Sequence, residues 1–217
     1  DALFIQSNDF GWRLSVAIAD PTSSIAPQSA LDRAAMQRAN TTYLPGKAVT
    51  MLPETLSHKV YSLVESEERP VLLCHMQINK DGAIAKADFE FGIIRSAHKL
   101  SYDKVAAFLQ DDDAQAVAEP CQALLKSLLE CSSALNQHRS EHMLLMEDRD
   151  DYQLVLGNDG HIAKIKREQR NLAQQIVEES MLATNRSAGD LFAQHPNTGI
   201  FSAHKGFREE RMDSIVK

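Results

Sequence analysis

Apolar and polar residues alternate along several short stretches of the chain, and this two-residue period predicts β-strands. The clearest stretch is 12–19, where Trp12, Leu14, Val16 and Ile18 fall on one face and smaller or polar residues fall on the other. Two segments, NKDG and GNDG, have the composition of hairpin turns. The same reasoning predicts further strands and hairpins at 2–6, 70–78, 83–94 and 152–165.

A longer period of three to four residues, together with capping residues, predicts helices. Ser29 and Asp32 have capping-box spacing, and Ser101 is placed to cap a second helix. Helices are predicted from Ser29 to about Asn40, from Ser101 to Leu109, from the loop QDDDAQ to about His138 with the apolar stripe Leu124, Leu128, Cys131 and Leu135, and over 168–194. Weaker signals indicate a short strand at 199–203 and a helix start near Arg208.

Hairpins and helices follow one another without regular β–α–β alternation. The predicted fold class is therefore α+β, with a mixed or antiparallel sheet of hairpins packed against several helices.

The segment 40–57 fits neither period and is predicted to be an irregular but rigid loop, because Pro45, Gly46 and Pro53 punctuate it. Tyr43 at its start has a ring that could stack on a nucleobase. Packing within the protein is the ordinary alternative for a single loop tyrosine.

Charge and composition narrow the function only partly. The net charge is −7, so a basic surface for non-specific nucleic-acid binding is not expected. An enzyme that binds phosphate through metal ions would still be compatible, because it needs carboxylates at its centre. No apolar run approaches the length of a membrane span, and the three cysteines are predicted to be small buried side chains.

Three short patterns carry candidate chemistry, each with an ordinary alternative. HRSEH at 138–142 has the spacing of an inverted zinc-peptidase motif, but three residues of fixed type are a weak signal and a solvated helix end is the favoured explanation. The acidic run at 110–114 suits a cation or a solvated turn. The basic residues Lys164, Lys166, Arg167 and Arg170 suit phosphate contacts or a solvated charged face.

Longer motifs in a fixed order make the sequence recognisable. They are DALF, VAIADPTSSIAPQSALDRAAMQRANTTYLPGKAVTMLPETLS, SLVESEERPVLLCHMQINKDG, YDKV and IVEESMLATN. In this order the chain resembles the catalytic (RNB) domain of the ribonuclease II and R family, and within it the ribonuclease II branch. The likeness runs along all of 1–217, which would be the N-terminal and central part of one catalytic domain, truncated at both ends.

The resemblance implies an activity. Enzymes of this family hydrolyse single-stranded RNA processively from the 3′ end with Mg²⁺, for which Mn²⁺ is an alternative, and release 5′-nucleoside monophosphates. It also implies a cytoplasmic protein that binds single-stranded RNA, without a membrane or an obligate protein partner. A catalytically dead relative that binds RNA or acts as a scaffold is the alternative.

The resemblance also implies site residues. Asp1 matches the last Asp of a metal-binding cluster D-x-D-D-A-L, whose other acids are not in this sequence, so the chain alone is expected to be inactive. Tyr43, Tyr102 and Glu178 match residues along the RNA path. Met146 stands where the ribonuclease II branch has a base-stacking Phe.

Asp20 is a second candidate metal-site residue, with a turn role before Pro21 as its alternative. If Gln6 pairs with Trp12 in the first hairpin, Asp1 lies opposite Ala17, and Asp20 would belong to the same end of the hairpin.

Overall fold

The computed structural model describes residues 1–142, 151–168, 170–195 and 197–201. Eight strands and four helices lie in the described residues. They are β1 (Ala2–Asn8), β2 (Gly11–Ala19), α1 (Ala30–Arg38), β3 (Thr42–Leu44), β4 (Lys47–Val49), β5 (Glu68–Asn79), β6 (Ile84–Arg95), α2 (Tyr102–Gln110), α3 (Glu119–His142), β7 (Asp151–Leu156), β8 (Ile162–Glu168) and α4 (Leu172–Ala193).

The main sheet contains four antiparallel strands in the order β1-β2-β5-β6. One face carries the residues that alternation predicted. Leu14 and Val16 are fully buried and lie opposite Met76 and Cys74 of β5. This face packs into one core with α2, α3 and the first half of α4, and the α+β class is confirmed.

Helix α3 contributes a continuous apolar stripe to that core. Leu128, Cys131 and Leu135 are buried as predicted, and Leu125 is buried where the stripe was drawn through Leu124, which is half-buried. The helix continues beyond the predicted end to His142, so the whole HRSEH segment is helical.

The predicted register of the first hairpin is wrong by one residue. Gln6 lies opposite Arg13 and Ala17 lies opposite Ala2, so Asp1 precedes the paired strand and is not the partner of Ala17. The turn determines this register, because the Asn8 side-chain oxygen accepts hydrogen bonds from the backbone N–H groups of residues 10 and 11. A pattern of alternating residues alone does not contain that information.

The segment predicted to be an irregular loop contains a small hairpin, β3–β4. Pro45 and Gly46 form its tip, and Gly46 has φ of +72°, which is the geometry of a type II turn with Pro first and Gly second. Each strand has only three residues, too few to show a period. A single helical turn, Leu56–Val60, follows in the same segment.

Two helix starts follow capping chemistry. The Ser29 hydroxyl accepts from the Asp32 N–H, as the capping spacing predicted, whereas the Asp32 carboxylate accepts from the Gln28 N–H and not from that of Ser29. Helix α4 begins at Leu172 and not at 168, because Asn171 and Gln174 form a reciprocal capping box with two bonds of 2.9 Å.

The last predicted elements are not seen. Residues 199–201 are not in a strand, and 202–203 and the helix start near Arg208 lie outside the described residues.

The chain divides into two compact units, 1–184 and 185–217. The first holds all strands, α1 to α3 and most of α4, together with every candidate site residue that the structure describes. In the second unit, the backbone N–H of His195 donates to the Phe192 carbonyl and closes the end of α4. Among the described helices, none combines the length and apolar character needed to cross a membrane.

Candidate functional site

A cavity of about 650 Å³ opens beside the start of β1. Its wall includes Asp1, the first residues of β1, the loop 96–101, the start of α2 with Tyr102, and the first turns of α4. Two of the predicted site residues, Asp1 and Tyr102, are therefore brought to one cavity although they are a hundred residues apart in sequence. A volume of this size is typical of ligand sites.

The cavity wall combines one carboxylate with several basic residues. Asp1 is the only acidic residue among the lining residues that the structure describes, and Arg95, His98 and Lys99 are the basic ones. Glu68 pairs with Arg95 at 2.6 Å from outside the cavity, and a Glu65 carboxylate oxygen accepts the backbone N–H of Lys99 at 3.2 Å. These cations were not predicted, although the basic run before Ser101 is visible in the sequence.

A polar chain crosses the sheet at the cavity wall. The Ser15 hydroxyl lies 2.7 Å from His75 Nδ1, and His75 Nε2 lies 3.0 Å from a Glu90 carboxylate oxygen. Ser15 lines the cavity, whereas Glu90 is exposed to solvent. The three residue types are those of a hydrolase triad, but Ser15 is in the middle of a central strand whose two neighbours take up its backbone N–H groups. No backbone N–H group beside Ser15 is left to form an oxyanion hole. We therefore assign a structural role to the hydrogen-bonded row Ser15–His75–Glu90.

Asp20 is buried and is not among the residues that line the cavity. One carboxylate oxygen of Asp20 accepts a hydrogen bond from the backbone N–H of Thr22 at 2.9 Å. The backbone N–H of Asp20 donates to the Pro70 carbonyl. This is the cap of the short helical turn Pro21–Ser23. The contacts of Asp20 are thus those of the turn alternative.

Tyr43 lies on β3 with 83% of its surface exposed. Among the residues that the structure describes, little packs against this side chain, so the exposure favours stacking over the packing alternative without testing either. The backbone of Tyr43 pairs with that of Ala48 across the type II turn.

Glu178 projects from the second turn of α4. Arg170, which lies between β8 and α4, donates from Nη1 to both carboxylate oxygens at 3.0 Å. Lys164, Lys166 and Arg167 lie on β8 and are exposed. Met146 lies outside the described residues.

The HRSEH segment has a different role from the one its spacing suggests. The rings of His138 and His142 stack with centroids 4.4 Å apart, and Glu141 accepts from the Gln137 side chain. Arg139 points the other way, into the protein, where it donates from Nε and Nη2 to both oxygens of Glu179 at 3.1 and 2.6 Å.

Glu179 is 5% exposed and also accepts from Asn136 at 2.8 Å. This buried network joins α3 to α4, and its hydrogen bond raises the pKa of Arg139. Sequence analysis missed it, because the pairing of residues forty positions apart leaves no local pattern.

Metal binding was tested against the donors that are present. Within 1–142, 151–168, 170–195 and 197–201, no three His, Cys, Asp or Glu side chains are grouped to hold a metal ion. The acidic run 110–114 is a turn in which the Asp113 carboxylate accepts the Gln115 N–H. Asp1 alone does not make a two-metal site, so no metal-dependent step is derived from these residues.

The three cysteines are free and buried, as predicted. Burial raises the pKa of Cys74 to about 11 and that of Cys131 to about 12, and it also raises the pKa of Cys121. Thiols held in the protonated form are poor nucleophiles and poor metal ligands.

Comparison with known structures identifies the fold. Mycoplasma genitalium RNase R in complex with ribose-methylated single-stranded RNA superposes with a TM-score of 0.85 at 25% identity, over 89% of this chain and 30% of that one. Yeast Ssd1, a pseudonuclease, superposes with a TM-score of 0.68 at 19% identity, over 90% of this chain and 23% of that one. The chain thus has the fold of RNB-type exoribonucleases.

Sequence comparison gives the family. The model of the RNB domain matches residues 1–217, so the chain belongs to the RNB family. Exoribonuclease 2 of Aeromonas hydrophila is 41% identical over 100% of this chain and 32% of its own length. Exoribonuclease 2 of Vibrio vulnificus is 36% identical over 100% of this chain and 33% of its own length. The chain spans about a third of the length of these relatives.

Proposed function

We propose that the full-length protein that carries this chain is a 3′→5′ exoribonuclease that hydrolyses single-stranded RNA processively to 5′-nucleoside monophosphates. The observation that carries the proposal is that Asp1 and Tyr102, both matched to the family's site, line one cavity of a chain that is RNB throughout. We further propose a cytoplasmic protein that acts without an obligate protein partner.

Asp1 is proposed to supply one carboxylate ligand to Mg²⁺, or to Mn²⁺ in its place. Phosphodiester hydrolysis of this kind uses two ions, one to activate water and one to stabilise the leaving oxygen, so Asp1 would need further carboxylates beside it to hold them. Asp20 is proposed to support this centre indirectly, by fixing the chain that leaves β2.

The remaining candidates are proposed to hold the RNA. Tyr43 stacks on a base near the 3′ end, Tyr102 lines the cavity, and Glu178 contacts the terminal nucleotide. Two further contributions complete the proposed path: Met146 packs against a base without a ring–base stack, and Lys166, Arg167 and Arg170 contact phosphates.

Asp1→Asn in the full-length protein tests the catalytic role. The substitution preserves the size of the side chain and one acceptor oxygen, but it removes the negative charge that binds a metal ion. Degradation of poly(A) is expected to fall at least about tenfold, while RNA affinity stays within about twofold of wild type. Unchanged single-turnover hydrolysis with lost RNA binding would contradict the role assigned to Asp1.

A catalytically dead RNA-binding protein is the second candidate. The observation that favours it is the single carboxylate of the described cavity wall, together with the shared fold of a pseudonuclease. Wild-type protein that binds RNA but releases no mononucleotides with Mg²⁺ or Mn²⁺ would establish this candidate in place of the first.

A further inference from the structure

Residues 33–53, which include most of α1 and both strands of the β3–β4 hairpin, contain no Asp or Glu. Their cations are Arg33, Arg38 and Lys47. The whole chain has 30 Asp and Glu residues against 23 Lys and Arg, so this stretch departs from the acidic character of the rest. It also carries Tyr43, whose ring is exposed. Positive charge next to an exposed aromatic ring is the combination that holds single-stranded nucleic acid.

The three cations differ in what already compensates their charge. Arg33 Nη1 and the Asp32 carboxylate both bond to the backbone of Gln28, so two opposite charges meet at the start of α1. In the described part of the chain, no ion pair joins Arg38 or Lys47 to a carboxylate. The positive charge of the stretch that is open to a ligand is therefore that of Arg38 and Lys47.

Backbone carbonyls, which are neutral, hold one side of the Arg38 guanidinium. Its Nη1 donates to the Met51 carbonyl at 3.2 Å and lies 3.5 Å from the Thr50 carbonyl. The Met51 N–H in turn donates to the Thr41 hydroxyl at 3.1 Å, so this point also joins the two ends of the hairpin. A guanidinium has five N–H donors, and those of Nε and Nη2 have no acceptor among the described residues. Because the side chain is exposed, a charged edge with two donor atoms remains open to a ligand.

The chain brings this open edge close to Tyr43. Tyr43 lies opposite Ala48, and the carbonyls that hold Arg38 come two and three residues after Ala48. At about 3.3 Å per residue of extended chain, this separation is about 7–10 Å. Helix α1 ends at Arg38, the Asn40 N–H donates to the Arg38 carbonyl, and only three residues separate Arg38 from β3. A nucleotide whose base stacks on Tyr43 would therefore have a phosphate within reach of Arg38.

We propose that Arg38 binds a phosphate of single-stranded RNA, next to the nucleotide whose base stacks on Tyr43. Nε and Nη2 supply the two parallel N–H groups that a phosphate accepts in a bidentate contact. The contact positions the RNA backbone and carries no base preference. Lys47 is not part of it, because Lys47 lies opposite Leu44 and so on the face of the hairpin away from Tyr43. The proposal rests on the proposed function, since it makes single-stranded RNA the ligand and Tyr43 its stacking platform.

A double-mutant cycle between the side chain and single phosphates tests the contact. The probes are fluorescein-labelled oligoadenylate and copies of it that each carry one uncharged methylphosphonate linkage near the 3′ end, bound to the full-length protein with a chelator present. For the wild type, one of these linkages is expected to weaken binding at least about fivefold. Arg38→Ala should weaken binding of the unmodified RNA by the same factor, and that linkage should then cause no further loss. The variant should also lower the salt dependence of log K by about 0.7.

Two further variants separate a phosphate contact from a bond that only braces the hairpin. Arg38→Gln keeps an N–H donor for the Met51 carbonyl without the charge, and it should bind as weakly as Arg38→Ala. Arg33→Ala is the matched control, because it removes an exposed arginine from the same helix, and it should bind as the wild type does. Wild-type affinity in Arg38→Gln, or an equal loss for every RNA in Arg38→Ala, would overturn the proposal and leave Arg38 a structural role. Unchanged affinity in Arg38→Ala would overturn it as well.

The binding cycle and the proposed function can fail separately. If the full-length protein hydrolyses no RNA while one linkage couples to Arg38, the exoribonuclease proposal is wrong and the phosphate contact stands. If hydrolysis proceeds as proposed and no linkage couples to Arg38, the phosphate contact is wrong and the proposed function stands. Absence of any RNA binding by the wild type would overturn both.

Discussion

Arg170 holds the Glu178 carboxylate through a single nitrogen, with Nη1 at 3.0 Å from each of the two oxygens. Arg170 directly precedes the capping residue of α4, and Glu178 lies in the second turn of that helix. The pair therefore fastens the end of the β7–β8 ribbon to the helix whose first turns line the cavity. Both side chains remain about a third exposed, so solvent can reach the pair.

Arg170→Ala is expected to slow removal of the last nucleotides without unfolding the protein. The pair is partly exposed and contributes about 0.5–1 kcal/mol, which corresponds to about two- to fivefold in single-turnover rate if Glu178 contacts the terminal nucleotide. Arg170→Lys should restore most of the rate, because one donor atom suffices for this contact. A rate that is unchanged in Arg170→Ala but lowered in Glu178→Gln would show that Glu178 needs no orientation by Arg170.

Tyr43→Ala is expected to lower RNA affinity with little effect on the stability of the fold. The side chain is 83% exposed, so its removal should change the free energy of unfolding by no more than about 0.5 kcal/mol. Loss of one base stack should lower affinity for the RNA 3′ end by about 1–3 kcal/mol and lengthen the final product. Gel analysis of end products measures this, with Tyr43→Phe as the variant that keeps the ring. An unchanged product ladder in Tyr43→Ala would remove Tyr43 from the RNA path.

Local patterns predicted much of this fold, and non-local contacts account for what they missed. Alternation and capping are properties of neighbouring residues, so the four sheet strands and the starts of α1 and α2 follow from them. The hairpin register depends on two hydrogen bonds accepted by the Asn8 side chain, and strands β3 and β4 are too short to have a period.

The candidate site divides in the same way. The family resemblance pointed to Asp1 and Tyr102, and the structure places both in one cavity. The placing of basic residues in the cavity wall and the Arg139–Glu179 network both require tertiary contacts. Asn171 and Gln174 are the exception, because their capping spacing is visible in the sequence and would have placed the start of α4 correctly.

Arg139→Ala should destabilise the protein strongly. It would leave the Glu179 carboxylate buried without its bidentate partner, at a cost of about 3–5 kcal/mol. Gln137→Ala, on the exposed side of the same helix, should cost less than about 0.5 kcal/mol. Urea unfolding of the full-length protein measures both changes.

A second comparison isolates the charge. Replacing both partners by apolar residues, as Arg139→Met with Glu179→Leu, should be less destabilising than Arg139→Ala alone, because no buried charge is left over. If the double variant is less stable than Arg139→Ala, the attraction between Arg139 and Glu179 exceeds the cost of removing both charges from water, and the pair stabilises the fold.

The Cys74 and Cys131 thiols should be unreactive in the folded chain. With the pKa of Cys74 near 11 and that of Cys131 near 12, only about 10⁻³ to 10⁻⁴ of each is thiolate at pH 8. In a Cys121→Ser variant, which removes the thiol that lines the cavity, a thiol-specific chromogenic reagent should therefore modify this 217-residue chain only after denaturant is added. Rapid modification without denaturant would show that the core around α3 opens readily.

The same shifts have a defined sign in stability. Folding raises these pKa values above the ordinary 9.0, so the unfolded thiols release their protons first as the pH rises. The stabilisation from the two buried thiols is thus complete below pH 9 and is lost as the pH rises through 11 to 12. Cys131→Ala should lose less stability over this pH range than wild type does, whatever its stability at neutral pH.

The 217-residue chain by itself is expected to release no mononucleotides from poly(A), even with Mg²⁺ or Mn²⁺. The reason is the donor set: phosphodiester hydrolysis by two ions requires several carboxylates, and the described cavity wall has only Asp1. Thin-layer analysis of products from radiolabelled RNA checks this, with the full-length protein as the positive control. Release of mononucleotides by the chain alone would contradict this prediction. If Asp1→Asn also abolished that release, Asp1 would have to act together with carboxylates of this chain that lie outside the described cavity wall.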